Sequence, residues 1–84
     1  MTLVSFDDFC SQILHHTLVV TNDHLCIHMH ADHVLVGGEI EDTKLNTSFT
    51  IEITDKIYEH YEEGERWYLV TDEGGEEIFG IYIK

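Results

Sequence analysis

The chain has 84 residues, and its 17 Asp and Glu against four Lys and Arg give a formal net charge of −13. Like charges crowded onto so small a body repel one another, so the excess predicts a strongly cationic partner. Nucleic acid and anionic membranes require positive potential on a protein, so direct binding to either is not expected. Hydrophobic residues make up 43% of the chain, which predicts one domain over residues 1–84 with a small core.

The hydropathy pattern predicts neither a membrane span nor a signal peptide. No apolar run approaches the ~20 residues that a span requires, and no basic stretch precedes an apolar one at the N-terminus. We therefore expect a cytoplasmic protein. Cys10 and Cys26 each lie in an apolar pattern, and two cysteines are too few for a disulfide scaffold, so both are expected to be reduced thiols of the core.

The first element is predicted to be a helix over about residues 5–16. Ser5 and Asp8 form a capping pair, and Asp7 and Asp8 suit the positive end of a helix. The apolar residues recur at helical spacing: Phe6, Phe9, Cys10, Ile13 and Leu14.

Two strands are expected next. The β-branched run at residues 18–21 favours a strand, Asn22 and Asp23 can turn the chain, and residues 25–30 alternate between apolar and polar side chains. Residues 31–36 fit either a return strand or a short helix ended by the two glycines that follow.

The middle of the chain predicts a strand and then a second helix. Phe49, Ile51 and Ile53 alternate with polar residues, which is typical of a strand with one buried face. Thr54 or Asp55 then caps a short helical segment ended by Gly64. Its apolar face consists of Ile57, Tyr58 and Tyr61.

The C-terminal segment predicts a hairpin. Apolar runs at residues 67–71 and 78–83 flank a Gly pair that suits a tight turn, and a two-residue loop there places Leu69 opposite Gly80 and Trp67 opposite Tyr82. Both faces of this hairpin are apolar, so it is expected to be central in its sheet or covered on both sides. The fold class predicted is α+β, with the N-terminal helix and a short second helical segment packed on a mainly antiparallel sheet of about five strands.

A histidine-rich segment raises the question of metal. Residues 28–33 (HMHADH) match the zinc-binding motif of metallo-β-lactamase-type hydrolases, but the later ligands of that fold have no counterparts. Three imidazoles from His28, His30 and His33 could still hold zinc across a hairpin. Solvated or hydrogen-bonded histidines are the preferred interpretation, so no metal or other cofactor is expected.

Catalysis is not expected either. The serines lie in no nucleophile motif, and there is no phosphate-binding glycine loop. The acidic surface remains: Glu39 and Glu41 lie two apart on one strand face, ~6.6 Å from each other, which is close to the spacing of phosphates along a nucleic-acid strand. Such a surface can occupy a DNA-binding groove.

The chain resembles the small acidic uracil-DNA glycosylase inhibitors of phages. The resemblance is strongest at residues 67–76 (WYLVTDEGGE), which are similar to a Trp-x-Leu-Val strand followed by an acid, a Gly turn and a Glu. It extends to the capped helix, to residues 18–20 (LVV) and 25–27 (LCI), and to length and charge. The resemblance implies an α+β fold, an acidic first-strand end that enters the enzyme's DNA groove, and an apolar pocket that encloses a hydrophobic side chain of the enzyme.

Carried over to this sequence, the resemblance implies a set of partner-binding residues. Asn22 and Asp23 match the end of the first strand, and Asp32 matches an acid of the second helix. The remaining positions would line the apolar pocket: Cys26, Val34, Val36, Ile51 and Ile53.

The sequence therefore predicts a DNA-mimicking inhibitor that is monomeric when free and binds a basic protein, with uracil-DNA glycosylase as its target, in the host cytoplasm if a phage encodes it. Three alternatives stay open. The target could be a restriction or CRISPR effector, the chain could be an immunity protein for a nuclease toxin, or it could be a zinc-binding or regulatory subunit that uses the His28, His30 and His33 cluster.

Overall fold

A computed structural model describes all residues from Met1 to Lys84, and it is mostly sheet, with 54% strand and 10% helix. The elements in chain order are β1 (Thr2–Val4), α1 (Phe6–Ile13), β2 (Thr17–Thr21), β3 (Cys26–His30), β4 (His33–Leu35), β5 (Glu39–Asp42), β6 (Thr47–Thr50), β7 (Lys56–Glu62), β8 (Glu65–Thr71) and β9 (Glu77–Ile83). The strands form a six-stranded sheet in the order β1-β7-β8-β9-β2-β3 and a three-stranded sheet in the order β4-β5-β6.

Every neighbouring pair of strands is antiparallel. The side chains of each strand alternate between the two faces, and one face of the large sheet carries the core. Helix α1 and the three-stranded sheet supply the other side of this core, so both pack on the same face of the large sheet. The buried cluster consists of Phe9, Ile13, Leu18, Val20, Met29, Ala31, Ile40, Phe49, Ile51, Ile57, Tyr68, Val70 and Ile81.

Helix α1 begins as the capping pair predicts. The Ser5 hydroxyl accepts the Asp8 N–H at 3.1 Å, and Phe9 packs edge-on against Tyr68 with ring centroids 4.9 Å apart. The helix ends at Ile13, earlier than expected, because His15 takes a positive φ of 69°. The His15 N–H then donates to the Ala31 carbonyl at 2.6 Å, which leads the chain into β2.

The predicted α+β class is wrong, because the second helical segment does not form and the strands make two sheets, of six and three strands, instead of one sheet of about five. Residues 56–62 are the strand β7, which pairs with β1 on one side and β8 on the other. Ile57 and Tyr61 are four residues apart, a spacing that places two side chains on one face in a strand as well as in a helix. Ile and Tyr also favour strands, so two neighbouring strands decide the structure of this segment.

Two further segments are settled. Residues 33–35 form a strand, which resolves the open choice between strand and helix. The strand predicted through Ile53 ends earlier, at Thr50. Ile51 is buried, but Ile53 is fully exposed, so the predicted alternation holds only as far as Ile51.

The C-terminal hairpin has the predicted register. Leu69 pairs with Gly80 and Trp67 with Tyr82, and β9 lies between β8 and β2 inside the sheet. The connection is longer than the expected two-residue loop, because a bulge places Thr71 opposite Glu77 and leaves residues 72–76 as the loop.

The chain has no helix with enough apolar residues to cross a membrane. Both cysteines are free, in agreement with the sequence, but only Cys10 is partly buried. The expectation that Cys26 belongs to the core is wrong, because it faces away from the core side of the edge strand β3 and is exposed.

Candidate protein-binding surface

The large sheet leaves one face uncovered. Strand pairing aligns two rows of side chains across this face, opposite the core. We call these two rows the open face: Leu3, Tyr58, Leu69, Gly80, Thr21 and Cys26 in the first, and His60, Trp67, Tyr82, Val19 and His28 in the second. None of these residues is buried, so of the two arrangements expected for the C-terminal hairpin the structure has the central position in the sheet, and one face of the hairpin is uncovered.

Aromatic rings stack along the second row. The centroids of His60 and Trp67 are 4.9 Å apart, and those of Trp67 and Tyr82 are 5.7 Å apart with an interplanar angle of 24°. Tyr82 is 43% exposed and Trp67 is partly exposed, so part of this aromatic row is presented to solvent at the centre of the sheet. Aromatic residues with a polar hydrogen-bonding group are enriched at protein interfaces.

A groove lies beside this aromatic row, above Gly80. It has a volume of about 690 Å³. Thr21 and Tyr82 close over Gly80, since a Cβ on this glycine would lie 3.2 Å from the Thr21 hydroxyl oxygen and 3.5 Å from the Tyr82 ring. The groove, called the Gly80 groove below, is lined by Thr21, Asn22, Asp23, His24, Trp67, Leu69, Asp72, Glu76, Glu77, Ile78, Phe79, Gly80 and Tyr82.

Two loops bring carboxylates to the edge of this groove. In the β2–β3 turn, the Asn22 side chain accepts the N–H groups of His24 and Leu25 at 2.8 and 3.0 Å, which leaves Asp23 exposed at the tip. In the β8–β9 loop, the Asp72 carboxylate accepts the Glu76 N–H at 2.9 Å. Pairing of β2 with β9 places the two loops side by side. Asn22 and Asp23, predicted as partner-binding residues, therefore lie in the Gly80 groove.

Glu39 and Glu41 lie elsewhere, on the outward face of the three-stranded sheet. They occupy alternate positions of the central strand β5, whose other positions are buried, so the predicted same-face placement is correct. The His33 ring nitrogen is 3.1 Å from a carboxylate oxygen of Glu41. This acidic strand face is separate from the groove.

The predicted apolar pocket is not assembled as expected. Ile51 and Ile53 line an apolar cleft of about 470 Å³ between the N-terminal residues and the segment before β7. Cys26 lies on the open face, Val34 packs against the core, and Val36 is fully exposed in the β4–β5 turn. These three residues belong to different surfaces because residues 31–36 are a strand and a turn, not the helix that would bring them together.

The Asp32 side chain is engaged in hydrogen bonds within the chain. Its carboxylate accepts the Thr43 hydroxyl at 2.7 Å and the Thr43 N–H at 3.2 Å. It thereby fixes the turn after β5.

The histidines are not arranged as a metal site. No group of three or more His, Cys, Asp or Glu side chains is placed to hold a metal ion. His30 lies 3.4 Å from the Thr17 hydroxyl and His33 is engaged with Glu41, so the ligands of the zinc hypothesis point to different partners.

The chain's only ion pair between an Arg or Lys and a carboxylate lies on the core side of the large sheet. Arg66 Nε is 3.6 Å from Glu59, which also accepts the Tyr68 hydroxyl at 2.9 Å. Burial, and then the hydrogen bond to Glu59, raise the pKa of Tyr68 above its ordinary range. The carboxylates of the groove and of β5 have no such basic partner.

Comparison of the chain with family models, with curated proteins and with solved structures finds no match.

Sequence reasoning missed Trp67 and Tyr82 as surface residues. The pattern contained an indication, because the predicted register placed Leu69 opposite a glycine and both hairpin faces were apolar. It could not show which face would be left uncovered, since that depends on where the helix and the small sheet pack.

Proposed function

We propose that this protein is a DNA-mimicking inhibitor that binds the DNA-binding groove of a basic enzyme, with uracil-DNA glycosylase as the first target to test. The observation that supports it is that the carboxylates are almost all outside the core and lack a basic partner. Asp42 is the only buried acid, and a single Arg or Lys pairs with a carboxylate in the chain. An uncompensated negative surface on a small domain attracts cationic partners and raises their association rate.

The geometry of β5 supports mimicry beyond plain acidity. Glu39 and Glu41 project from one face of a strand at a separation of ~6.6 Å, which is compatible with the repeat of a nucleic-acid backbone. A cationic groove that binds successive phosphates would accept these carboxylates.

The choice of uracil-DNA glycosylase rests on the resemblance of residues 67–76 to phage inhibitors of that enzyme. The α+β fold implied by that resemblance is not the fold of this chain. The class of protein, a DNA-mimicking inhibitor, is therefore supported by the arrangement of charge, and the choice of target is supported by the local motif alone. The apolar cleft beside Ile51 and Ile53 offers a place for a hydrophobic side chain of the enzyme.

The direct test is uracil release by a purified bacterial uracil-DNA glycosylase. Single- and double-stranded substrates are titrated with this protein at near-physiological salt. Stoichiometric inhibition of both substrates is the expected result. Full activity at micromolar protein would exclude this enzyme and shift the proposal to another basic target.

A pull-down from bacterial lysate at low and high salt tests the class independently of the target. Recovery of restriction or CRISPR effectors, or of a nuclease toxin, would support the same mode of binding with a different partner. The Glu39→Gln/Glu41→Gln variant should lose captured protein, whereas Asp7→Asn/Asp8→Asn, which removes the same charge from the helix, should lose much less. Equal losses would show that total charge alone is responsible.

A further inference from the structure

We propose that the open face of the large sheet binds an amphipathic helix of a partner protein, which lies along the strands and carries basic residues at both of its ends. The three-stranded sheet with β5 packs on the opposite, core side of the large sheet, so this binding surface is separate from the carboxylates that would mimic DNA. The proposal therefore goes beyond the proposed function and does not depend on the identity of the target enzyme.

The open face carries no carboxylate. Neither of its two rows contains Asp or Glu, although 17 of the 84 residues of the chain are acidic. The outward face of the three-stranded sheet differs, because its central strand carries Glu39 and Glu41. The two rows instead hold apolar and aromatic side chains: Leu3, Val19, Tyr58, Trp67, Leu69 and Tyr82. Uncharged surface rich in aromatic residues is typical of the centre of a protein interface.

Carboxylates lie at both ends of the same strands. One end is the β7–β8 turn and the other consists of the β2–β3 turn and the β8–β9 loop. These acids are Glu62, Glu63 and Glu65 at the first end, and Asp23, Asp72, Glu73, Glu76 and Glu77 at the second. Lys84 lies at the first end and Lys56 at the second, so each end keeps an excess of negative charge. The open face is thus an apolar centre between two acidic borders.

The separation of these borders defines the length of a complementary partner. Strand β8 has seven residues, so it is ~23 Å long at a rise of ~3.3 Å per residue. A helix of about 15 residues, or four turns, has the same length. Basic residues in its first and last turns would meet the two acidic borders, and an apolar stripe between them would cover Trp67, Leu69 and Tyr82. The helix lies along the strands, because the lateral edges of the open face, at Leu3 and His28, carry no acid.

A helix fits this face because the face offers no backbone hydrogen bonds. The N–H and C=O groups of the inner strands point to their neighbours within the sheet, so an element that lies on the face must satisfy its own backbone. A helix does this and a single strand does not. A second copy of this chain is disfavoured, because its acidic borders would meet those of the first copy. Nucleic acid would be repelled by the same borders.

The aromatic row is ordered before any partner binds. Trp67 lies between His60 and Tyr82, with ring centroids 4.9 and 5.7 Å away. Rings already fixed by their neighbours lose little conformational freedom when a partner covers them, so less of the free energy gained by burial is offset. Tyr82 is 43% exposed and Leu69 is partly exposed, and a docked helix would remove this remaining apolar area from water.

Trp67 is the only tryptophan, so its fluorescence reports on the open face. The probe is a tryptophan-free, alanine-based peptide of about 15 residues, held helical by a lactam link on its outer face, with a leucine stripe and two arginines at each end. One control peptide has the same composition with its leucines distributed around the helix, and another has its arginines gathered at the centre. We expect saturable binding of the probe and at least ~10-fold weaker binding of either control. No saturable change with the probe, or equal affinity for the probe and either control, would overturn the proposal.

Variants with matched controls locate the site. Leu69→Thr should weaken binding of the probe by about 5-fold or more, whereas Leu45→Thr removes the same side chain from a turn of the three-stranded sheet, where it is 63% exposed, and should have no effect. Glu65→Gln/Glu76→Gln removes one charge from each border and should weaken binding by about 5-fold. Asp7→Asn/Asp8→Asn removes the same charge from α1 and should weaken it less than ~2-fold. Equal effects within either pair would mean that general apolarity or acidity attracts the peptide, and the site assignment would fail.

Backbone amide shifts of the isotope-labelled protein provide a second readout that does not require any variant to fold. The probe should shift the N–H signals of β8, β9 and the β7–β8 turn, and leave those of β5 unchanged. Shifts confined to β5 or to α1 would overturn the proposal. Because these measurements use only peptides, they can succeed while the glycosylase assay fails, and loss of peptide binding would leave the role of β5 in DNA mimicry unaffected.

Discussion

The carboxylate of Asp42 accepts the backbone N–H of His30 at 2.9 Å. This hydrogen bond joins the three-stranded sheet to β3, the edge strand of the large sheet. The other oxygen of Asp42 accepts the N–H groups of Lys44 and Leu45, each at 3.1 Å. A buried acid thus satisfies three backbone donors and occupies an N–H of an edge strand that would otherwise be free to pair with another chain.

Substitution of Asp42 by Asn should destabilise the fold. The amide nitrogen would face either the His30 N–H or the turn donors, and a buried donor without an acceptor costs free energy. We expect a clearly lower melting temperature for Asp42→Asn, measured by circular dichroism at pH 7. Glu73→Gln removes one charge from an exposed loop residue and serves as the control, with an expected change near zero.

Acid unfolding should report on the same residue. The His30 N–H first, and then the Leu45 N–H, hold the pKa of Asp42 below its ordinary value. A carboxyl with a depressed folded-state pKa contributes stability above its unfolded pKa of about 3.9, and this contribution is lost as the pH falls through the folded-state value. The free energy of unfolding of the natural protein should therefore fall below about pH 4, and that of Asp42→Asn should fall less steeply. Parallel pH profiles would contradict this role.

Gly37 and Gly38 allow a matched test of backbone packing beside the apolar cleft. Both have positive φ angles, 102° and 89°, but a Cβ on Gly38 would lie 2.2 Å from the Ile51 carbonyl oxygen, whereas one on Gly37 would meet nothing within 4 Å. Gly37→Ala should cost about 1–2 kcal/mol of strain, and Gly38→Ala roughly 3 kcal/mol or more. Urea denaturation measures both. Similar losses would show that the contact with Ile51 relaxes easily.

The parts of the fold that the sequence predicts correctly are those fixed by neighbouring residues. Ser5 caps the helix that begins at the next residue, because its hydroxyl accepts the Asp8 N–H. The C-terminal hairpin has a glycine-rich loop between two apolar runs. Local chemistry therefore determines both elements. The predicted pairing of Leu69 with Gly80 is correct even though the loop is longer, because the bulge near Thr71 absorbs the difference.

The segment around Tyr58 was predicted wrongly because its local pattern fits two structures. Asp55 and Gly64 resemble the two ends of a helix, but Asp55 instead accepts the Glu52 N–H at 2.8 Å in the turn before β7. Gly64 belongs to the β7–β8 turn. Only pairing with β1, more than 50 residues away in sequence, completes the strand.

The candidate site could be predicted only in part. The sequence picks out Asp23 as an exposed acid, but its proximity to Trp67 depends on β2 pairing with β9. Within a hairpin, the residues that pair and the side chains that share a face are set locally. The order of strands in a sheet is set by long-range packing. The Gly80 groove is therefore a property of the fold.

The tight β7–β8 turn offers a stabilising substitution. Glu63 and Gly64 both have positive φ, 52° and 83°, between the paired residues Glu62 and Glu65. Such a two-residue turn favours Asn followed by Gly. Glu63→Asn should stabilise the protein by about 0.5–1 kcal/mol, seen as a melting temperature higher by a few degrees. Glu62→Asn, with the same charge change at a strand position, should give no gain.

The two cysteines should differ in reactivity. Burial, and then the charge of Asp7, raise the pKa of Cys10 to about 11, so only about one thiol in a thousand is ionised there at pH 8. Cys26 is exposed. Iodoacetamide should therefore modify one cysteine in the native protein, identified as Cys26 by peptide mapping, and both after unfolding. Cys26→Ser should leave the native protein unmodified on the same timescale.

The association rate with a cationic partner should depend on salt. The chain carries a formal net charge of −13. Long-range attraction steers the encounter of two proteins and is screened by salt. We expect the association rate, measured by stopped flow or surface plasmon resonance, to fall as the ionic strength rises.

The dissociation rate distinguishes long-range electrostatic attraction, which acts on the association rate, from the short-range contacts made in the complex. Asp23→Lys should mainly slow association because it weakens the field at the groove, whereas Ile51→Ser should mainly speed dissociation if an apolar anchor is desolvated in the complex. Ile51 lines the apolar cleft and Val34 packs only against the core. Val34→Ser therefore controls for lost stability: if it speeds dissociation as much as Ile51→Ser, the cleft is not the anchor. An association rate unaffected by salt would show that the excess negative charge has no part in binding.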